Sequence, residues 1–420
     1  MIGFIGMSHL GLNTSAAVAD HGFDVLCFDA KQELIDGLKE TRLPVFEPGL
    51  EELFKKNKSR IQFTANPQDL QKCDLTYISL DVPTNSQNQS DLKAIEGLLF
   101  EYKNYLKKGS TLVILSQVNP GFTRPIHREF QKIGVHVYYQ VETLIFGIAV
   151  QRAQFPERYI VGCAEPQEKL PDLFQKLLSS FNCPILPMRF ESAELTKIAI
   201  NFYLTSQVSV TNTLAEICER VRADWREITP ALRLDKRIGP HAYLSPGLGL
   251  AGGNLERDLR TILDISNSQG TESSIVSSWL LNSGYRKDWV YRELYTKVLT
   301  QIKKPQIAVW GLAYKVGTHS LKNAPSLQLL EKLSGFQVTC YDPHAKLPDA
   351  FQTEKCHQAS SAKEAVQDAD GLVVLTPYDE FRNYPLAQLK QQMRGAIIID
   401  PFQVLPKNEG FQQSIMGIGV

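Results

Sequence analysis

The sequence has no stretch suited to a membrane: its apolar runs all stop short of the roughly 18 residues a spanning helix needs. It also lacks charge of one sign. Lys and Arg total 45, Asp and Glu total 45, and no block of like charge exceeds a few residues. That removes the electrostatic footprint by which proteins hold DNA, RNA or anionic lipid. Cysteine is sparse and unpatterned. The seven (Cys27, Cys73, Cys163, Cys183, Cys218, Cys340, Cys356) are odd in number and spread out, with no C-x-x-C. They read as reduced, mostly buried thiols of a cytoplasmic protein, with no zinc site and no disulfide framework. The opening MIGFIGMSHLG has no basic n-region and passes straight into a strand-like run, so no secretory leader is expected there. Neither a nucleic acid, a membrane nor a metal is expected as a partner.

What is present is globular. Hydrophobic residues make up 43% and charged residues 21% of 420 positions, enough chain for two or three domains. The first 150 residues alternate short apolar runs with helix-compatible stretches. Strands are expected at 1–5, 24–28, 75–80, 111–114 and 135–139, with a helix over 12–20. Such alternation argues for βαβ units and a mostly parallel sheet. From 191 to about 224 the pattern changes to a helical period without Gly or Pro, which predicts a rod of about 45 Å. Further helices are expected to about residue 299. A second alternating region follows, with strands at 307–310, 337–341, 372–375 and 397–399. The predicted fold is α/β: two Rossmann-like, doubly wound parallel-sheet domains joined by a long central helix.

Gly6-Met7-Ser8-His9-Leu10-Gly11 follows the first strand and opens the first helix, close to G-x-G-x-x-G. In that pattern the first glycine makes the tight turn and the last lets helix and strand pack closely. The middle one lets backbone approach a pyrophosphate at the helix N-terminus. Here the middle position is Ser8, whose Cβ narrows the approach while its hydroxyl offers a hydrogen bond to phosphate. Asp29 ends the second strand 18 residues after Gly11, where an acid binds a ribose 2′-hydroxyl and disfavours a 2′-phosphate. NAD is the cofactor this predicts.

Further along come Phe46-Glu47-Pro48-Gly49-Leu50, Val82-Pro83-Thr84, Ser116 with Gly121, and Pro156-x-Arg158. Then follow Ala193-Glu194-Leu195-Thr196-Lys197-x-x-x-Asn201, Arg237-Ile238-Gly239 and Pro246-Gly247-x-Gly249-x-x-Gly252-Gly253. Gly311-Leu312-Ala313-Tyr314-Lys315 and Tyr341-Asp342-Pro343 complete the set. In this order the pieces resemble the UDP-glucose/GDP-mannose dehydrogenase family over nearly the whole chain. The resemblance implies an NAD-binding domain (1–190), a central helical dimer-forming segment with a substrate loop (191–300) and a C-terminal nucleotide-sugar-binding domain (301–420). It implies a homodimer through the long helix and a nucleotide-sugar substrate, a UDP-sugar first. The family's chemistry is a four-electron oxidation of a C6 alcohol to a carboxylate with two NAD, through a cysteine thiohemiacetal and thioester.

By the same resemblance Gly6, Ser8, Gly11, Asp29, Val82, Thr84 and Ser116 would hold the cofactor. Lys197 and Asn201, one helical turn apart, would stabilise oxyanion charge or hold a water; alone, such a pair is an ordinary solvated helix face. Glu142 matches a glutamate that acts as general base through water, although the Arg expected after it is Ile145. The Gly-rich loop (Gly247, Gly249, Gly252, Gly253), with Arg237 and Lys315, would bind the diphosphate and sugar. The family's nucleophilic Cys falls on Asn254, four residues before the retained Asp258. A carboxamide has no accessible nucleophilic state, so the double oxidation is not expected. Gln117, His319 and Lys322 also depart from the family pattern. Asp81, just before Val82, is an unusual acid that the sequence leaves without a physical account.

Three activities remain open at this point. One is a nucleotide-sugar oxidoreductase limited to a single hydride transfer, giving a carbonyl or, by return of the hydride, an epimer. Another is a non-catalytic binding homologue. The last is a 3-hydroxyacid dehydrogenase-like enzyme, against which the C-terminal domain argues.

Overall fold

Runs of Ile, Val, Leu and Phe too short for helices become strands buried on both faces, as parallel sheets covered by helices require. The computed structural model describes residues 1–83 and 90–419, which fall into two compact units, 1–200 and 201–420.

The first unit is built on an eight-stranded sheet. Its strands are β1 (Ile2–Ile5), β2 (Val25–Phe28), β3 (Ile61–Thr64), β4 (Leu75–Ile78), β5 (Thr111–Ile114), β6 (His136–Gln140), β7 (Tyr159–Cys163) and β8 (Ile185–Arg189). The order is β3-β2-β1-β4-β5-β6-β7-β8, parallel throughout except the β6–β7 pair. The first six strands thus have the doubly wound order, with its switch point between β1 and β4, where such sheets bind ligands. Alternation sorts the core: Ile2 and Phe4 of β1 pack on one face and Ile5 on the other.

Helix α1 (His9–Asp20) begins three residues before the expected position, directly after the turn. Its Gly, Ala and Ser content lets it lie close on the sheet, and residues 9–13 and 15–19 are all buried. Gly11 is obligatory: a Cβ there would stand 2.1 Å from the Gly6 carbonyl oxygen. Gly6 has φ +94°, open to glycine at little cost. The long helix, α2 (Phe190–Val221), runs 32 residues and passes from the first unit into the second.

The second unit carries a six-stranded, all-parallel sheet. Its strands are β9 (Gln306–Trp310), β10 (Gln337–Tyr341), β11 (Cys356–Gln358), β12 (Gly371–Val374), β13 (Ile397–Ile399) and β14 (Gln412–Ser414). Their order, β11-β10-β9-β12-β13-β14, is again the doubly wound order. Ile307 and Val309 face one core and Ala308 and Trp310 the other. Ahead of the sheet lie α3 (Asn254–Gln269) and α4 (Ser274–Lys287). Strands β3, β7, β8, β11 and β14 were not anticipated. Four of them are edge strands and β7 lies beside one, where one side is solvated and the apolar run that marks a buried strand is lost. Among the described residues no helix is long and apolar enough to cross a membrane.

Candidate functional site

The turn after β1 is knitted to the neighbouring strand ends. Met7 N–H donates to Asp29 Oδ2 at 3.0 Å, and Lys31 N–H donates to Asp29 Oδ1 at 3.1 Å. Asp29 therefore stands at the tip of β2, where the sequence placed it, half-buried and bonded to the turn. Ser8 is engaged within the protein. Its hydroxyl donates to the Ser79 carbonyl at 3.0 Å and accepts from the Asp81 N–H at 2.9 Å, so both of its functions are engaged inside the protein. Ser116, wholly buried at the end of β5, donates to the Leu80 carbonyl at 2.6 Å. Val82 is partly buried beside the same core, and Thr84 lies outside the described residues.

His9 is a residue the sequence left without a role. It is buried, with Nε2 2.8 Å from Glu47 Oε2. Glu47 also accepts the Gly147 and Ala149 N–H groups, at 3.1 and 2.8 Å. The pair thereby ties α1 to the loop that carries Glu142. Phe146 of that loop stacks on the His9 ring, centroids 4.1 Å apart. Only the E-P-G-L stretch and the histidine in the turn hinted at this, and they lie 38 residues apart.

Glu142 and Lys197 are brought together. Lys197 Nζ lies 2.7 Å from Glu142 Oε1 and donates to the Glu142 carbonyl at 3.2 Å, while the Leu144 N–H donates to Glu142 Oε2. The charge partner missing at Ile145 is thus supplied from α2, with both side chains largely shielded. One turn before Lys197, buried Glu194 accepts the Gly121 and Thr123 N–H groups at 2.6 and 2.7 Å, anchoring the segment after Ser116. Burial pushes the Glu194 carboxyl up from its ordinary value.

In the second unit Asn201 Nδ2 donates to Asp258 Oδ2 at 2.6 Å, and Arg257 Nε lies 3.3 Å from Asp258 Oδ1; all three side chains are buried. The Gly-rich loop leads into α3 so that Asn254 is the helix's first residue, exposed, directly after Gly253. Two of the loop's glycines are required by close neighbours and a positive φ. Gly249 (φ +71°) would put a Cβ 2.4 Å from the Ser283 carbonyl, and Gly252 (φ +78°) one 3.1 Å from the Tyr314 ring. Gly247 N–H donates to Asn212 Oδ1 at 2.8 Å. The Lys322 stem lies against Gly253, and burial together with the nearby Arg257 pushes its ammonium down from its ordinary value. Lys315 Nζ lies 5.6 Å from the Tyr314 ring centroid. Arg237 is placed differently from the rest: its side chain is 89% exposed and paired with Asp235 at 2.7 Å.

None of the seven cysteines falls within 246–258. Burial pushes Cys27 up to about 12 and Cys73 up to about 11, so neither is an activated thiol. Cys218 packs beside Ala215, Trp225 and Leu244, and Cys340 is held up by a hydrogen bond with Cys356 and by burial. Among the described residues no cluster of three or more His, Cys, Asp or Glu side chains could hold a metal ion. The Gly6 turn and the Asp29 carboxylate fit the adenosine-ribose and pyrophosphate end of a dinucleotide, with Ser8 and Asp81 as the departures.

Residues 1–182 match the NAD-binding domain of the UDP-glucose/GDP-mannose dehydrogenase family, 191–282 its central domain and 308–407 its UDP-binding domain. The chain is 28% identical over 411 residues to the UDP-glucose 6-dehydrogenase TuaD of Bacillus subtilis (strain 168), covering 95% of this chain and 88% of TuaD. It is 28% identical over 417 residues to a UDP-glucose 6-dehydrogenase of Pseudomonas aeruginosa, covering 94% and 92%. In fold it is similar to a UDP-D-ManNAc dehydrogenase of Pyrococcus horikoshii, with a TM-score of 0.86 at 23% identity over 99% of each chain.

Proposed function

The chain belongs to the UDP-glucose/GDP-mannose dehydrogenase family, and from that premise we propose that it oxidises a nucleotide sugar, a UDP-sugar first, in a single hydride transfer. The product is a carbonyl compound or, where the carbon oxidised bears a secondary alcohol and the hydride returns to the opposite face of the ketone, an epimer. NAD, when bound, supplies the hydride acceptor; Gly6, Gly11 and Asp29 are the residues that would hold it.

The observation that carries the reading is Asn254. It opens α3 directly after the Gly-rich loop, with Asp258 one turn on. A carboxamide there can hydrogen-bond a sugar oxygen but cannot capture an aldehyde, so nothing forms the thioester that a second oxidation needs. Asp258 fixes the orientation of the Asn201 amide, leaving that side chain to hold a water or an oxyanion. Lys197, as an ammonium held by Glu142, can stabilise an alkoxide, and Glu142 can take the alcohol proton through water. Arg257 and Lys322 supply positive charge for the diphosphate. The reading assigns the cofactor to 1–190, the sugar loop and dimer face to 191–300, and the nucleotide to 301–420.

A homodimer belongs to the same reading. On α2, Tyr203, Val210, Leu214, Ile217 and Val221 are exposed in the single chain and recur at steps of seven, four, three and four, a helix-pairing stripe. In the cell the protein is expected in the cytoplasm.

The test is incubation with NAD and a panel of UDP-, GDP- and dTDP-sugars, with product mass recorded. A carbonyl or isomeric product supports the reading, and a carboxylate overturns it. Binding without turnover would favour the non-catalytic homologue, a reading to which the engaged Ser8 hydroxyl lends support.

A further inference from the structure

The acid without an account in the sequence has a defined place in the fold. Helix α1 leaves its first amides without intrahelical partners, and the macrodipole makes that end attract negative charge. The Leu10 N–H, in that first turn, donates to Asp81 Oδ2 at 3.3 Å. Asp81 is brought there by Ser8, whose hydroxyl accepts the Asp81 N–H and is itself fixed on the Ser79 carbonyl. Ser8 stands at the middle position of the turn, where a glycine would have no hydroxyl to do this. The titratable groups facing Asp81 are His9, from α1, and Glu142, from the loop after β6. His9 is already paired with Glu47, and Glu142 with Lys197.

We propose that Asp81 sets the affinity of the first unit for its dinucleotide: held by Ser8, its carboxylate occupies the anion position of the turn and competes with the pyrophosphate of NAD. The inference rests on the reading of residues 1–182 as an NAD-binding domain. Ser8 and Asp81 then act as one device. Pyrophosphate and carboxylate are both anions seeking the same helix terminus, so the dinucleotide binds only as the acid gives way.

The measurement is NAD binding by calorimetry to the natural chain, Asp81→Asn, Ser8→Gly and the double variant, with inorganic pyrophosphate as a second probe in thermal melts. Asp81→Asn keeps the shape and removes the charge. It is expected to bind NAD about tenfold more tightly or better, and pyrophosphate should raise its melting temperature more than that of the natural chain. Ser8→Gly should shift affinity the same way, and the double variant should add little, because both changes disable one contact. Without ligand, Asp81→Asn should melt about 1–2 °C lower, from loss of a favourable N-terminal charge. A purely structural role would give that melting change with no gain in affinity. Saturable NAD binding by both proteins, with Asp81→Asn no tighter than the natural chain, overturns the inference and leaves the cofactor reading standing. No NAD binding by either overturns both.

Discussion

The first six strands of one unit and the six of the other share an order and an opening, a strand, a glycine at positive φ and an acid at the end of the next strand, yet the two acids do different things. Asp342 is buried after β10 and saturated. Its carboxylate accepts the Leu312, Ala313, His344 and Ala345 N–H groups at 2.6, 2.9, 2.8 and 2.7 Å, with the Tyr378 hydroxyl at 3.3 Å. Asp29 accepts two N–H groups and remains half-exposed. An acid at this topological position can therefore be internal glue or a ligand group, and the count of amides it already satisfies separates the two. The second unit has spent its acid on its own backbone. The first has kept Asp29 available and added Asp81 at the helix terminus.

The sharpest way to break this comparison is to remove each acid. Asp342→Ala strands three buried amides and a fourth, part-buried one, and is expected to cost about 4 kcal/mol or more in denaturant unfolding. Asp29→Ala should cost about 1 kcal/mol while weakening NAD binding, read by calorimetry. Equal stability losses would erase the distinction. Next in size, Lys197→Met in the first unit and Asp258→Ala in the second are each expected to lower kcat by about 10²–10³-fold, measured on whichever sugar turns over. A smaller effect is expected on assembly: Leu214→Glu with Ile217→Glu should turn the dimer into monomers in sedimentation velocity, with each fold intact by circular dichroism.

The smallest effect concerns a pair near the start of α2. The Arg124 guanidinium holds the Glu191 carboxyl down to about 2, and the pair bonds through Nη2 and Oε2 at 2.9 Å. A lowered folded value means the stabilisation is present above the ordinary glutamate range and lost as pH falls toward about 2. Because both side chains are partly exposed, Glu191→Gln should cost only about 0.5 kcal/mol at neutral pH, and nothing near pH 2. Thermal melts across that range test it.

Much of this was legible in the sequence. Strands β1, β2, β4, β9 and β12 announce themselves because burial on both faces demands apolar runs, and α2 because its period persists without Gly or Pro. Gly6, Gly11 and Asp29 could be read because their spacing is local. The pairs that build the site could not. Glu142 meets Lys197 across 55 residues, Asn201 meets Asp258 across 57, and Ser8 meets Asp81 across 73. Periodicity fixes which face a side chain takes but not which distant strand end arrives beside it. The Ser8–Asp81 link depends on β4 lying next to β1 at the switch point, so an acid after β4 looked unexplained until the sheet order was known. Arg237 is the case where motif and surroundings differ: a position read as a diphosphate ligand is 89% exposed in the single chain and pairs with Asp235, two residues away.

The most direct measurement is the ratio of NADH formed to sugar consumed when the reaction has run to completion, for the natural chain beside Asn254→Cys. Replacing a thiol by a carboxamide predicts one NADH per sugar, or an isomerised sugar with none, and a rise toward two in the cysteine variant. Two NADH per sugar from the natural chain, with a uronic acid as product, would contradict the account.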